Sequence, residues 1–367
     1  MQALEARGLL DRVVEVLPSS AALAERETRG EPLTRAELGV LLAYAKLVLF
    51  DDIVASGLPD DPHLETDLMG YFPGRMAKKY AEEIRGHRLR REIIATLLAN
   101  DAINRGGPSF VTRMQDLTGR TASEVVAAFT VVRDGFELPA LYAEIDALDA
   151  KIDGDVQLDL YQTVGRLVHA TTGWLLKNDD GTAGLGERIA ALRGARKALE
   201  GSIGAMVPAS TSDRLRERAH GLFKAGTPEA LAQRIAFLSI SELIPDIARV
   251  AQEARAGLAE AATAFFAVTE AFRIGRISDA ARAISPTDYY DGLALSRATE
   301  TVSAARRGMA ISALAGHGKA ADPVAAWLEA GGERVSRTRD RLQALTEGGD
   351  LTVSRLTVAA GLMADLS

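Results

Sequence analysis

The chain has 367 residues, 43 basic and 50 acidic side chains, a formal net charge of −7 and no cysteine. The missing cysteine excludes a disulfide framework, a thiolate metal site, an iron–sulfur cluster and a cysteine nucleophile. With 47% hydrophobic and 25% charged residues the composition is that of a folded globular protein, and the negative balance argues against nucleic acid as a partner, because phosphate binding needs clustered positive charge.

The N-terminus has no basic region followed by an apolar run, so no leader is expected. The most apolar stretch, Leu38 to Phe50, contains Lys46 and is bounded by Glu37 and Asp51-Asp52. It is too short and too charged to span a bilayer. No membrane partner and a cytoplasmic location are therefore expected.

Alanine, leucine, arginine and glutamate dominate, and all favour helix. The spacing predicts helices over 3–16, 20–29, 35–56, 74–85, 88–105, 109–118, 122–134 and 138–149. A second set is predicted over 155–177, 184–200, 211–224, 228–238, 241–254, 257–274, 277–284, 289–315, 323–346 and 351–365. Start signals support these. Thr34 with Glu37 and Thr121 with Glu124 fit capping boxes. Thr227-Pro228, Ser285-Pro286 and Asp322-Pro323 each set a capping side chain before a proline at the first helical position. Stops are expected at Gly106-Gly107-Pro108, Gly119, Gly181 and Gly348-Gly349.

No alternating run is bounded by turn residues on both sides, and no strand–helix–strand alternation occurs. Leu351-Thr352-Val353, the best strand candidate, reads equally well as a helix start. No fixed-period repeat is visible, so a solenoid is not supported. The expectation is an all-α fold of about 15–19 helices and no sheet, in an N-terminal lobe (1–150) and a C-terminal lobe (151–367), or one continuous domain.

The chemistry-bearing motifs are incomplete. Gly181-Thr182-Ala183-Gly184-Leu185-Gly186 has the wrong glycine spacing for a dinucleotide turn and no strand before it, so it reads as an interhelical loop. Gly316-His317-Gly318-Lys319 lacks the first glycine and the following hydroxyl of a phosphate loop, and reads as a helix end. His63, His87, His169, His220 and His317 form no metal-binding pair, and His169, beside an apolar stripe, reads as a packed histidine. The adjacent carboxylates Asp51-Asp52, Asp60-Asp61 and Asp179-Asp180 read as helix ends and turns, since neighbours on a helix do not face each other. Arg334, Arg337, Arg339 and Arg341 with Glu333 and Asp340 read as an exposed helix face or an interface rim. Trp174, Trp327, Phe265 and Phe266 serve as interface anchors or core residues. No catalytic, cofactor-binding or metal-ligating residue is assigned.

The densest polar block runs over 87–108. His87, Arg88, Arg90, Arg91, Asn100, Asp101, Asn104 and Arg105 are the candidate structural or interface network. Asn100, Asp101 and Asn104 are helical neighbours, and Arg105 complements the helix dipole ahead of a glycine cap.

These stretches carry a resemblance. Leu33 to Leu38 and Ala43 to Leu47, Tyr71-Phe72-Pro73, the 87–108 block, Ser285 to Tyr290, Arg337 to Leu342 and Leu351 to Val358 are similar to the C-terminal helical region of the large bacterial NAD-specific glutamate dehydrogenases. The resemblance runs nearly end to end. It implies a parent enzyme that oxidatively deaminates L-glutamate to 2-oxoglutarate and ammonia with NAD. It also implies that the substrate-binding and catalytic groups and the nucleotide-binding sheet lie upstream. No catalytic residue carries over, and this chain alone is expected not to be catalytic and to bind no cofactor. Its implied partner is the catalytic domain of the same polypeptide, in a homo-oligomer. A chain that opens on this region is expected to be a fragment of the longer protein. The alternative is a free-standing helical interaction or scaffold protein derived from the same family.

Overall fold

A computed structural model describes residues 1–201, 203–347 and 350–367. The expected stop at Gly348-Gly349 lies outside the described residues. Every regular element among those described is helical, so the protein is all-α.

The predicted helices form with instructive exceptions. Both capping boxes close: Thr34 Oγ1 accepts from the Glu37 N–H at 3.3 Å while Glu37 Oε2 accepts from the Thr34 N–H at 2.7 Å, and Thr121 with Glu124 does the same at 3.3 and 2.8 Å. Asp322 also caps its helix, accepting from the Ala325 N–H at 2.9 Å. Thr227 does not. Its hydroxyl is buried without a hydrogen-bond partner, and helix Glu229–Ser241 starts without a side-chain cap. Beyond Ser285-Pro286 it is Asp288 that caps helix Tyr289–His317.

Two predicted helices are broken by glycine. Over 3–16, helix Gln2–Ala6 gives way at Gly8, whose φ is +67°. Over 323–346 the chain divides into Pro323–Ala330 and Gly332–Glu347. Gly332 adopts φ +52°, and a Cβ at Gly331 would collide with Val335 Cγ2. Over 74–85 the break falls at Tyr80, between Gly74–Lys79 and Ala81–Arg85.

The described chain forms two compact units. One comprises Met1–Ala140 with Val164–Ala190, the other Leu141–Thr163 with Ala191–Ser367. In the first unit, helices Arg35–Val54 and Arg90–Gly106 pack together over Leu49, Ile53, Ile94 and Leu98, all buried. Phe110 and Phe129 meet edge-on within this unit, centroids 5.9 Å apart. In the second unit, helix Tyr289–His317 packs along Val353–Ala364 and against Ile244–Ala254 and Leu258–Ala271. Half of its buried residues are alanine (Ala298, Ala305, Ala310, Ala313), which lets neighbouring backbones approach.

A recurrence of local structure emerges that the sequence pattern did not show. Helix Ala122–Gly135 opens on Glu124, ends at Phe136, turns at Glu137 (φ +56°) and restarts as Leu138–Asp146. Helix Leu258–Ala271 opens on Glu260, ends at Phe272, turns at Arg273 (φ +53°) and restarts as Ile274–Ala283. The offset is 136 residues, from Glu137 to Arg273 and from Phe136 to Phe272. Phe129 and Phe265, Val132 and Val268, and Leu138 and Ile274 are buried at matching positions. The flanking helices follow the same order: Arg90–Gly106 and Phe110–Thr118 before, Gly154–Asn178 after; then Glu229–Ser241 and Ile244–Ala254 before, Tyr289–His317 after. What recurs is a 14-residue helix whose third residue, a glutamate, accepts from the N-cap amide, followed by a left-handed hinge; Thr121 adds a side-chain cap that Gly257 cannot.

Candidate functional site

The strongest polar constellation of the first unit is centred on Arg133, in the last turn of helix Ala122–Gly135, where a cation also suits the helix dipole. The run around it is apolar, with Phe129, Val131 and Val132 buried, so the guanidinium is buried too, its side chain 9% exposed. An arginine so placed needs carboxylates. Arg133 Nε donates to Asp134 Oδ1 at 2.7 Å and Nη2 to Oδ2 at 2.9 Å, a two-pronged bond. Nη2 also donates to Asp67 Oδ2 at 2.9 Å, and Nη1 to Asp101 Oδ2 at 3.4 Å. Asp67 comes from helix Glu65–Tyr71 and Asp101 from Arg90–Gly106. His63 Nε2 lies 2.8 Å from Asp134 Oδ2.

The two acids respond oppositely to this arginine. Burial raises the Asp101 carboxyl, and Arg133 at 3.4 Å does not offset it. At Asp134 burial pushes the same way, but the two-pronged Arg133 bond and its charge outweigh it and hold the carboxyl below its usual range. The guanidinium itself is held more basic, its desolvation outweighed by Asp134 and Asp67. Chemically this is a clamp. The arginine's donors are directed at three carboxylates on three helices, and none is aimed at open space. Among the described residues no group of three or more His, Asp or Glu side chains is arranged to hold a metal ion.

The eight residues singled out from sequence are distributed over both ends of helix Arg90–Gly106, about 24 Å apart by helical rise. At its start Arg90 and Arg91 both pair with Asp60, Arg90 at 3.0 Å, and Arg91 Nη2 donates to the carbonyls of Val54 and Ser56 at 2.8 Å. His87 Nδ1 accepts from the Leu89 N–H at 3.1 Å, and its ring lies 5.9 Å from Phe72. Arg88 is exposed. At the far end Asp101 joins Arg133 and feels the charge of Arg105, Asn100 is half-buried and Asn104 is exposed. Sequence reasoning missed Arg133, Asp134, Asp67 and His63. The available signal was a lone arginine within an apolar stripe.

The second unit repeats that signal. Arg306 lies on the buried stripe of Val302, Ala305 and Met309. Its guanidinium sits 4.2 Å from the centre of the Phe265 ring, and Nη2 donates to Asp246 Oδ2 at 3.4 Å. Arg307 holds the other Asp246 oxygen at 2.6 Å. Burial makes Arg306 less basic than usual despite Asp246. Also in this unit, a polar cleft of about 510 Å³ is lined by Glu270, Arg273, Arg276, Arg339, Asp340 and Gln343 among others. Arg273 pairs with Glu347 at 2.7 Å and Arg339 Nε donates to the Ala271 carbonyl at 3.1 Å, so two of its three arginines are engaged.

Two further candidates are placed by their contacts. His169 Nε2 lies 2.9 Å from the Gly106 carbonyl, and its ring packs 4.9 Å from Phe110. Burial, with the Arg113 charge, outweighs that hydrogen bond and makes the imidazole less basic than usual. The loop before helix Leu185–Glu200 does not fit a dinucleotide. It follows a helix, and at the helix start Asp61 Oδ2 accepts from the Leu185 N–H at 3.1 Å, putting a carboxylate where a pyrophosphate would need the amide.

The family described as glutamate dehydrogenase, C-terminal, matches residues 30–365. The chain belongs to this family. Among curated relatives it is 37% identical over 268 residues to the NAD-specific glutamate dehydrogenase of Pseudomonas aeruginosa, covering 73% of this chain and 16% of that protein. The corresponding enzyme of Halomonas elongata is 37% identical over 233 residues, 64% of this chain and 14% of its own. That of Mycobacterium tuberculosis is 27% identical over 354 residues, 96% of this chain and 22% of its own. The chain thus spans less than a quarter of each. For a glutamate dehydrogenase C-terminal region, the Arg133 clamp and the Arg306–Asp246 pair are devices that fix helices. No described helix is long and apolar enough to cross a membrane.

Proposed function

We propose that this chain is the helical C-terminal domain of an NAD-dependent glutamate dehydrogenase. Its role is to pack on the catalytic part of that polypeptide and to support subunit assembly or regulation. The observation that carries the reading is the family match, which runs over residues 30–365 and so takes in nearly the whole chain. The whole enzyme converts L-glutamate, NAD and water to 2-oxoglutarate, ammonia and NADH. The groups that bind NAD and transfer hydride belong to the remainder of the polypeptide. The buried charged clusters support this division, because their arginines bond to carboxylates on other helices and so bind helices to one another.

The test is an immunoblot of the source cells with an antibody raised to this region. The expected result is one band far above 39.1 kDa, co-eluting with glutamate-dependent NAD reduction. A band near 39.1 kDa without that activity would sink the reading in favour of a free-standing helical interaction protein. Saturable NAD binding by residues 1–367 alone would overturn the division of labour.

A further inference from the structure

The polar cleft of about 510 Å³ lies wholly within the second unit, between one turn and one helical stripe. The turn joins helices Leu258–Ala271 and Ile274–Ala283 and supplies Glu270, Arg273 and Arg276. The stripe is Arg339, Asp340 and Gln343 of helix Gly332–Glu347, whose three- and four-residue spacing puts them on one face. The arginines converge. Glu347 Oε1 accepts from Arg273 Nη1 at 2.7 Å, and its carboxyl is held below the usual range by that bond first, then by Gln343, with the charge of Arg276 adding. Arg339 Nε donates to the carbonyl of Ala271, two residues before Arg273. The Arg276 guanidinium makes no hydrogen bond or ion pair with a described residue, and neither do the carboxylates of Glu270 and Asp340. The fold does not require these cations. The matching turn of the first unit, 136 residues earlier, carries Glu137 and Ala140 where Arg273 and Arg276 stand. At the start of helix Ile274–Ala283 both cations also oppose the helix dipole, so local stability does not account for them.

We propose that this cleft binds a phosphate monoester carrying hydroxyl groups, a sugar phosphate. Arg273 keeps Nε and Nη2 uncommitted, and Arg339 both Nη groups, so each still presents a two-pronged fork beside the unpaired Arg276. Three guanidinium groups match the three terminal oxygens of a phosphoryl group, whereas a carboxylate offers only two. The rest of the lining accepts rather than donates. Glu270, Asp340 and the amide oxygen of Gln343, whose nitrogen donates to Glu347 at 3.3 Å, suit hydroxyl donors. The same two carboxylates oppose a di- or tricarboxylate, which would set like charge against them. The volume falls within the roughly 300–1,000 Å³ of small-molecule sites. Among the lining residues the aromatic one, Phe272, is buried beside Trp327, so no ring is offered to a base. The site goes beyond the domain assignment and does not depend on where catalysis resides.

The test is isothermal titration calorimetry of the full-length protein with ribose 5-phosphate. The expected result is saturable binding, with inorganic phosphate several-fold weaker and ribose undetectable. Arg276→Gln and Arg339→Gln each weaken it about tenfold or more. The melting temperature of Arg276→Gln does not fall, because that side chain is exposed and holds no other group. No saturable binding, affinity unchanged in both variants, or inorganic phosphate as tight as the ester would overturn the proposal. L-Serine tests a hydroxylated zwitterion without phosphate; binding tighter than that of the ester, and lost in the same variants, would overturn the ligand class. AMP separates a free sugar phosphate from a mononucleotide. An affinity no higher than that of ribose 5-phosphate is expected, and a much higher one would show a recognised base and overturn the choice of ligand.

Discussion

Replacing Arg133 with methionine keeps the aliphatic bulk at a buried position and removes the charge that three carboxylates share. The variant loses the two-pronged Asp134 bond and the bond to Asp67 at 2.9 Å, along with the longer one to Asp101. Asp67, Asp101 and Asp134 are left together, with side-chain exposures of 16%, 29% and 16%. Removing one partner from a buried charge cluster costs about 3–5 kcal/mol. For a domain of this size that is a melting shift of roughly 6–20 °C. The sign with pH is distinctive. In the native protein Asp134 is held below its ordinary range, so it contributes stability that is present above its unfolded value of 3.8 and is lost as pH falls through the lower folded value. In the variant the carboxyls rise instead, so stability falls as pH increases from mildly acid to neutral. The deficit is therefore larger at pH 7 than near pH 4.5. Urea unfolding followed by circular dichroism at both pH values measures it. A deficit below about 1 kcal/mol, the size of an exposed ion pair, or one equal at both pH values, would refute the clamp. Asp101→Asn is the matched control. Burial already disfavours the charged Asp101, so that change stays within about 1 kcal/mol.

Gly106→Ala would ordinarily favour a helix, but here the added Cβ would lie 2.5 Å from Cγ of the buried Phe110. A loss of about 1–3 kcal/mol in urea unfolding is expected, and a gain would show that the ring is free to move. His169 is less basic in the fold than its ordinary 6.5, so its contribution is complete above that value and declines as pH falls through it toward the folded one. Unfolding at pH 7.5 and 5.5 should show this decline, and His169→Gln should reduce it; an equal decline in both proteins would remove the assignment. Thr227→Val deletes a buried hydroxyl without a partner. Melting should stay unchanged or rise, by up to about 1 kcal/mol; a clear fall would reveal a role for the hydroxyl.

The helical class was legible because it rests on short-range physics. Thr34 and Thr121 cap because a hydroxyl and a glutamate three residues later satisfy amide groups within one turn. His169 packs as expected because its neighbours on the helix are apolar. Of the carboxylate pairs, Asp61 and Asp179 act at turns, accepting from the His63 and Gly181 N–H groups at 2.9 Å, whereas Asp60 pairs with Arg90 and Arg91. The kinship of the 87–108 block was also legible, since it lies in residues and not in geometry.

The partners of Arg133 and Arg306 were not legible. Asp67 lies 66 positions from Arg133, and Asp246 lies 60 from Arg306. Spacing along a chain says nothing about which acid a buried guanidinium will meet once helices pack. The recurrence at an offset of 136 residues was hidden for a related reason. Packing conserves which positions are buried, such as Phe136 and Phe272, and where the backbone must turn left-handed, as at Glu137 and Arg273. It tolerates almost any change of residue elsewhere. Exposure along helix Arg35–Val54 belongs to tertiary structure as well. The sequence by itself determined that Leu38 to Phe50 is the most apolar run of the chain; only the packing of its neighbours decided that Leu49 and Ile53 are buried while Leu38 and Leu42 remain in solvent, because burial is a property of what lies across from a side chain and not of the side chain alone.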